Sequence, residues 1–193
     1  MIFWETLIFS LVILISECCR WPNSDVLFII DSSLHIKPAD FQRELDFVAK
    51  SIDQMDLSPA GSRVSLAMFT PMGRFVFPFS DQANRRDLQS RIQSTTYAPC
   101  DPNTSPTRCL PCASVNSIAK FALAQGNRKP FPDVIVVISG GKYQIPELLN
   151  KEVLLSPNSP IHAFYILVDG TYPQIADQHY AATANTLKVK SIK

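Results

Sequence analysis

Glycine is scarce in this chain of 193 residues, which has six glycines against fifteen prolines. The sequence has no phosphate-binding loop of the G-x-x-x-x-G-K type, so the usual signature of nucleotide chemistry is missing. It has only three histidines, His35, His162 and His179, and none belongs to a Glu-flanked pair. A G-x-S-x-G nucleophile elbow is also missing. The sequence therefore predicts a protein that is not an enzyme.

Charge of either sign is not in excess. Eighteen basic and seventeen acidic side chains give a net charge of +1, which is too small to steer the protein onto nucleic acid or an anionic membrane. Hydrophobic residues make up 46% of the chain and charged residues 18%, a balance typical of one globular domain with a sizeable core. Partners must therefore be recognised locally, and we expect no nucleic-acid partner.

The N-terminal segment differs from the rest of the chain. Leu7 to Ile15 is an apolar run broken only by Ser10. It is shorter than the roughly 20 residues that a membrane-spanning helix needs, so no membrane insertion is expected. Small residues after the run indicate a secretory signal peptide over residues 1–18, cleaved after Cys18. The alternatives are an uncleaved anchor and a cytosolic protein with a buried N-terminal helix. The preferred prediction is a secreted, extracellular protein.

Apolar runs alternate with amphipathic stretches from Asp25 onward. The predicted strands are Val26–Ile30, Val64–Phe69, Arg74–Phe79, Asp133–Ile138, Ile161–Val168 and Leu187–Ile192. The first predicted helix begins at Pro38 and carries apolar residues as far as Met55. The other predicted helices are Asp81–Gln93, Ala113–Ala124, Ile145–Val153 and Gln174–Asn185. The turn Pro71-Met72-Gly73 joins the second and third strands as a hairpin. This order predicts an α/β fold: a three-layer, doubly wound, mostly parallel sheet with one antiparallel edge strand.

Ligands of such sheets bind beyond the carboxyl ends of the central strands. The first of these strands reads Asp-Val-Leu-Phe-Ile-Ile-Asp-Ser-Ser over residues 25–33, and the fourth reads Asp-Val-Ile-Val-Val-Ile-Ser-Gly-Gly over residues 133–141. With these motifs the chain resembles the von Willebrand factor type A family, also called integrin I-like domains, across residues 25–193. The resemblance implies a recognition module that binds a protein or extracellular-matrix ligand at the top of the sheet.

The family's metal-ion-dependent adhesion site uses Asp-x-Ser-x-Ser, a Thr from a later loop and an Asp after the fourth strand. By this resemblance, Asp31 and Ser33 match the first two positions, and His35 stands at the third. Ser114 is the best match for the Thr, whereas Gly140 replaces the later Asp. The loss of one carboxylate beside a divalent cation removes several kcal/mol, even at an effective dielectric constant of about 20. The site is therefore a degenerate one.

Two interpretations of these residues stay open. In the first, Asp31 and Ser33 are inherited structure that caps the first helix and satisfies loop amides, and no metal binds. In the second, a weak Mg²⁺ or Mn²⁺ site persists, with His35 replacing a hydroxyl and Asp169 replacing the missing carboxylate. Imidazole would shift the preference from Mg²⁺ toward Mn²⁺ or Zn²⁺. Either way, the sequence predicts weak or no dependence on a divalent cation.

The segment from Tyr97 to Cys112 is a long, proline-rich loop. Such a length is typical of a functional or disulfide-pinned element. Its cysteines and Cys19 are the disulfide candidates, and they allow three pairings that the sequence does not distinguish. The candidates are Cys19, Cys100, Cys109 and Cys112.

Two further features of this loop bear on recognition. Asn103-Thr104-Ser105 is an acceptor pattern for N-glycosylation in a secreted protein. Tyr97 is a candidate aromatic contact for a ligand, with ordinary loop packing as the alternative.

The loop also suggests a function of another class. Cys109-Leu110-Pro111-Cys112 leads into a predicted helix, and a Cys-x-x-Cys motif at a helix N-terminus is how thiol oxidoreductases lower the pKa of a thiol. The residues before it, Pro106-Thr107-Arg108, are not the apolar strand that such motifs follow. A thiol–disulfide active protein is therefore the alternative to the recognition module.

Overall fold

The structure is a computed structural model that describes residues 22–33, 36–69, 73–81, 83–99, 115–129, 131–139, 161–168 and 185–189. Within these ranges the strands are β1 (Asp25–Asp31), β2 (Arg63–Phe69), β3 (Arg74–Phe77), β4 (Asp133–Ser139), β5 (Ile161–Val168) and β6 (Asn185–Val189). The helices there are α1 (Pro38–Asp53), α2 (Arg85–Gln93) and α3 (Val115–Ala124). None of these helices is both long and apolar enough to cross a membrane.

The strands form one sheet in the order β3-β2-β1-β4-β5-β6. Neighbouring strands run parallel except at the β2–β3 hairpin, where β3 forms an antiparallel edge. This confirms the predicted mostly parallel sheet with one antiparallel edge strand. Asp31 is level with Phe69 of β2, and Ile30 is level with Ile138 of β4. The carboxyl ends of β1, β2 and β4 therefore lie together, and we call this border the top edge.

Strand β1 lies at the centre of the sheet, and all seven of its residues are buried. Side chains alternate between the two faces of a strand. Val26, Phe28 and Ile30 belong to the core cluster that contains the buried face of α1. Leu27 and Ile29, also fully buried, project to the opposite face, where α3 contacts β1 and β2. Helices thus cover β1 on both sides, which explains why its sequence is continuously apolar.

Helix α1 begins at Pro38, whose fixed φ and missing N–H suit the first turn. Its cap residue is Lys37, which makes no side-chain capping hydrogen bond. The expectation that Asp31 and Ser33 cap this helix is therefore wrong. Both residues precede Lys37 by several positions and belong to the turn that leaves β1, where the Asp31 carboxylate accepts a hydrogen bond from the Ser33 N–H.

Other element boundaries differ from the prediction for local reasons. Helix α2 begins at Arg85 and not at Asp81, because the side chain of Asn84 caps it by accepting a hydrogen bond from the Asp87 N–H (3.0 Å). Strand β3 ends before Pro78, which has no N–H to give to the ladder.

The last strand, Asn185–Val189, begins two residues before the predicted start at Leu187. Residues 190–192 of the predicted strand lie outside the described residues. The predicted helix Gln174–Asn185 is therefore wrong at its last residue. Its other residues and the predicted helix Ile145–Val153 lie outside the described residues.

The opposite border of the sheet, where β1, β2 and β4 begin, is the bottom edge. Asp25 is fully buried there and is paired with Arg128, whose Nη2 and Nε donate to its Oδ1 over 2.6 and 2.9 Å. The backbone N–H of Arg128 donates to the other carboxylate oxygen over 2.6 Å. The guanidinium also donates to the Gly61 carbonyl (2.7 Å) and lies 3.8 Å from the centre of the Phe131 ring. The buried charge of Asp25 is thus fully compensated.

Asp133 lies level with Asp25 in the sheet, but its buried charge has fewer hydrogen-bond partners. One carboxylate oxygen accepts a hydrogen bond from the Asn127 side chain (3.1 Å), whereas Oδ1 has no hydrogen-bond partner among the described residues. Burial raises the pKa of Asp133 from 3.8 to about 6, the Asn127 hydrogen bond opposes that shift, and the Asp25 charge adds to it. At neutral pH this side chain is a buried carboxylate with an energetic cost.

We predict that Asp133→Asn stabilises the protein at neutral pH. The raised pKa means that the folded state binds its proton more tightly than the unfolded state does. Stability is therefore lost as the pH rises from about 4 to about 6, by about 1–3 kcal/mol, and stays lost above that range. Urea unfolding of both proteins at pH 4 and pH 7 measures this loss.

The wild type should lose more stability than the variant between these two pH values. The exposed Asp46, changed to Asn, is the control and should behave as the wild type does. Equal pH dependence in wild type and Asp133→Asn would contradict the assignment.

Candidate functional site

The chain leaves β1 through a turn that buried polar groups hold in place. Asp31 is 2% exposed and Ser33 is 3% exposed. The Ser33 N–H donates to Oδ1 of Asp31 over 2.9 Å, and the Ser32 N–H donates to the Phe69 carbonyl over 3.0 Å. Asp31 thus satisfies a loop amide, as the structural interpretation of this residue expects. The turn is tied to β2 and has a fixed geometry at the top edge.

Tyr97 ties a second loop to this turn. Its hydroxyl lies 2.9 Å from the Ser33 carbonyl oxygen and 2.6 Å from the Ile36 carbonyl oxygen. Since a phenol has one proton, it donates to one of these oxygens at a time. The ring packs against Phe41 of α1 with the centroids 5.3 Å apart. Burial and the nearby Asp31 charge raise the pKa of Tyr97, so the hydroxyl stays a donor.

These contacts agree with the packing alternative for Tyr97. The side chain is half-buried, so a part of its surface still faces solvent at the top edge. Its role in contacting a ligand stays a prediction.

Two buried groups near this turn lack the partners that buried polar atoms almost always have. The Ser33 hydroxyl has no hydrogen-bond partner among the described residues. The same holds for both carboxylate oxygens of Glu44, a residue of α1 that is 0% exposed. A buried carboxylate without partners is costly in a folded protein, so Glu44 needs a physical explanation.

The surroundings of Glu44 make its negative charge still less favourable. Burial raises the pKa of Glu44 well above its ordinary value, and the negative charges of Asp31 and Asp40 raise it further. The backbone amide of Asp31 lies close enough to oppose this shift in part, although it does not complete a hydrogen bond of ordinary geometry. Glu44 is therefore a buried carboxyl group that experiences the negative charge of Asp31, which is itself buried.

Sequence reasoning missed Glu44, although its spacing contained the signal. Phe41, Leu45, Val48 and Ile52 define the apolar stripe of α1, and Glu44 lies three residues after Phe41 and four before Val48. Residues at these separations share one helix face. A charged residue inside an apolar stripe indicates a buried carboxylate, and the buried face of α1 includes Glu44.

These oxygen atoms fit the divalent cation that the family resemblance implies. Hard cations take carboxylate and hydroxyl oxygens as ligands. Asp31, Ser33 and Glu44 offer such oxygens, and the Ser33 and Glu44 side chains have polar atoms without a hydrogen bond to any described residue. Within the described ranges no group of three or more acidic, His or Cys side chains is arranged around a metal position. The donor set that the described residues provide is therefore two carboxylates and a hydroxyl, which by themselves would hold a cation only weakly.

The other residues predicted for this site lie outside the described residues, and their roles stay predictions. They are His35, Ser114, Gly140 and Asp169. The same holds for the disulfide candidates Cys19, Cys100, Cys109 and Cys112, including the Cys109–Cys112 motif of the thiol–disulfide alternative, and for the glycosylation candidate Asn103.

A polar turn after the first central strand of a doubly wound sheet, with Asp31 and Ser33 two residues apart, is the arrangement that the resemblance implies. The family model for the von Willebrand factor type A domain matches residues 25–155, which is more than half of the chain. The chain belongs to the von Willebrand factor type A family. Its fold and the position of the Asp31 turn follow from that membership.

Curated relatives agree with this assignment. The chain is 25% identical to human (Homo sapiens) matrilin-3 over 154 residues, which cover 78% of this chain and 30% of matrilin-3. It is 23% identical to rat (Rattus norvegicus) von Willebrand factor over 116 residues, covering 60% of this chain and 26% of the relative. The chain thus spans less than a third of the length of either relative.

Solved structures show the same fold. Proximal thread matrix protein 1 from the mussel byssus superposes with a TM-score of 0.68 at 16% identity, covering 89% of this chain and 44% of that one. A second structure of that protein, with a zinc-occupied adhesion-site motif, also gives a TM-score of 0.68 at 16% identity, covering 90% and 45%. At this level of identity the likeness concerns the fold alone.

We predict that Tyr97→Phe destabilises the protein by about 1 kcal/mol, because it removes one buried hydrogen bond and keeps the ring against Phe41. Urea unfolding measures the loss. Ser94→Ala removes an exposed hydroxyl at the end of α2 and serves as the control, with an expected change below about 0.5 kcal/mol. Equal stability of Tyr97→Phe and wild type would show that the hydroxyl does not hold the turn.

Proposed function

We propose that this protein is a secreted, non-enzymatic recognition module that binds a protein or extracellular-matrix ligand at the top edge of its sheet. In this proposal residues 1–18 are a signal peptide that is removed. Recognition runs through the turn after β1 and the segment that begins near Tyr97, with weak or no dependence on a divalent cation.

The proposal rests mainly on the hydrogen bonding that joins two loops at the top edge. The Tyr97 hydroxyl joins the segment after α2 to the Ser33 and Ile36 carbonyls, and the Tyr97 ring is packed on α1. Thr96 and Ala98, on either side of Tyr97, are exposed, and so is Lys37 at the end of the turn. A surface whose backbone is already ordered loses less entropy when it binds a partner. The top edge is therefore prepared for recognition.

The similar proteins support the same class of partner. The family includes von Willebrand factor and the matrilins among the relatives of this chain, and one structural neighbour is named a matrix protein. The position of the turn also agrees, because ligands of open α/β sheets bind beyond the carboxyl ends of the strands.

The experiment compares charge changes at opposite ends of the molecule. A Lys37→Glu, Ala98→Glu double variant places negative charges on the top edge, and Lys129→Glu does so near the bottom edge, two residues before Phe131 and close to the start of β4. Both lysines are exposed, so neither change should alter the fold. Purified extracellular-matrix proteins, immobilised one by one, are the probes, and binding is measured by surface plasmon resonance.

We expect the wild type to bind at least one matrix protein saturably. The Lys37→Glu, Ala98→Glu double variant should bind that protein at least about tenfold more weakly, because like or misplaced charges in an interface reduce affinity. Lys129→Glu should bind as the wild type does. Loss of binding in Lys129→Glu with no loss in the double variant would place recognition elsewhere. No binding to any matrix protein would exclude that class of ligand.

A further inference from the structure

Glu44 is a buried acid that the recognition surface does not use. It is 0% exposed, its two carboxylate oxygens have no hydrogen-bond partner among the described residues, and none of the ion pairs described there includes it. The charged side chains that act on it are Asp31 and Asp40, both negative. A buried carboxylate in such surroundings must either keep a proton or be neutralised by a cation.

Helix geometry directs Glu44 toward the top edge. Side chains of an α-helix lean toward its N-terminus, and the N-terminus of α1 follows the turn after β1. Phe41 lies one turn nearer to that end, and its ring contacts Tyr97, whose hydroxyl bonds to the Ser33 and Ile36 carbonyls. The influence of the Asp31 charge and backbone amide on Glu44 agrees with a carboxyl group directed toward the end of β1.

The Ser33 hydroxyl is a second, independent sign of a missing partner. It belongs to the same turn, is buried, and has no hydrogen bond to any described residue. An ordered water or an ion can complete such a group. The bottom edge provides the contrast, because there the buried carboxylate of Asp25 has Arg128 as its cationic partner. At the top edge, no cationic side chain among the described residues forms an ion pair with Glu44.

We propose that Glu44 supplies the second negative charge of a divalent-cation site at the end of β1, in place of the carboxylate that Gly140 lacks. Asp31 and the Ser33 hydroxyl hold the cation from the turn, and Glu44 stabilises it from α1, directly or through a bound water. The cation in turn neutralises two carboxylates that otherwise repel each other. The ligand class is a small, hard divalent ion such as Mg²⁺ or Mn²⁺.

The test titrates the metal-free full chain with Mn²⁺ and with Mg²⁺ alone, by calorimetry and, for Mn²⁺, by electron paramagnetic resonance. Glu44→Gln keeps the shape of the side chain and removes its charge, and Glu44→Met replaces it with an apolar side chain of similar length. Circular dichroism and thermal unfolding establish that each variant is folded. Asp46→Asn is the matched control, because Asp46 is an exposed carboxylate on the same helix.

We expect the wild type and Asp46→Asn to bind one cation alike at millimolar concentration or below. Glu44→Gln and Glu44→Met should bind at least about tenfold more weakly, because a divalent ion loses one of two nearby negative charges. Asp31→Asn should abolish binding. Unchanged affinity in both folded Glu44 variants would overturn the proposal, and so would a folded wild type that binds neither cation. Since no matrix ligand is used, such a failure leaves the recognition proposal standing.

Discussion

The structure depends on one constraint: its central strand, β1, is buried along its whole length and has a buried aspartate at each end. A carboxylate in such a place must find compensation, because burial disfavours the charged form. At the bottom edge Asp25 finds it in Arg128, which also bonds to the loop before β2 and covers Phe131. This network joins the segments that precede three neighbouring strands. At the top edge Asp31 is used differently, since it holds the turn toward α1 and faces a second acid.

The two ends of β1 therefore differ in how their buried carboxylates are compensated. The bottom edge is closed by an ion pair with several hydrogen bonds, as expected of a border that stabilises the fold. The described part of the top edge has a hydrogen-bonded turn after β1 and buried oxygen atoms without a hydrogen bond to any described residue. Polar groups left in that state at a strand end are typical of a binding site, because a ligand can complete them. The proposed recognition surface and the proposed cation site are both consequences of this difference.

Much of the fold could be predicted from the periodicity of apolar residues. The run Val26–Ile30 lacks alternation because helices cover both faces of β1, and the spacing of Phe41, Leu45 and Val48 marks the single buried face of α1. Boundaries were less predictable where one side chain decides them, as the Asn84 cap does for α2. The site was predicted only in part. Asp31 and Ser33 were found from their place after a strand. Glu44, in contrast, lies within helix α1, six residues after its first residue, and its burial depends on tertiary packing. Its sequence signal is a charged position inside the apolar stripe of α1, which indicates burial but not a role in the site.

The central claim is that the buried acids at the top edge share a cation, and anomalous diffraction from crystals grown with Mn²⁺ tests it most directly. The account predicts a manganese peak at the end of β1, in contact with Asp31 or the Ser33 hydroxyl, with the Glu44 carboxylate as a ligand or one water away. A well-ordered top edge without a manganese peak, and with Glu44 hydrogen-bonded to Asp31 through a shared proton, would contradict it.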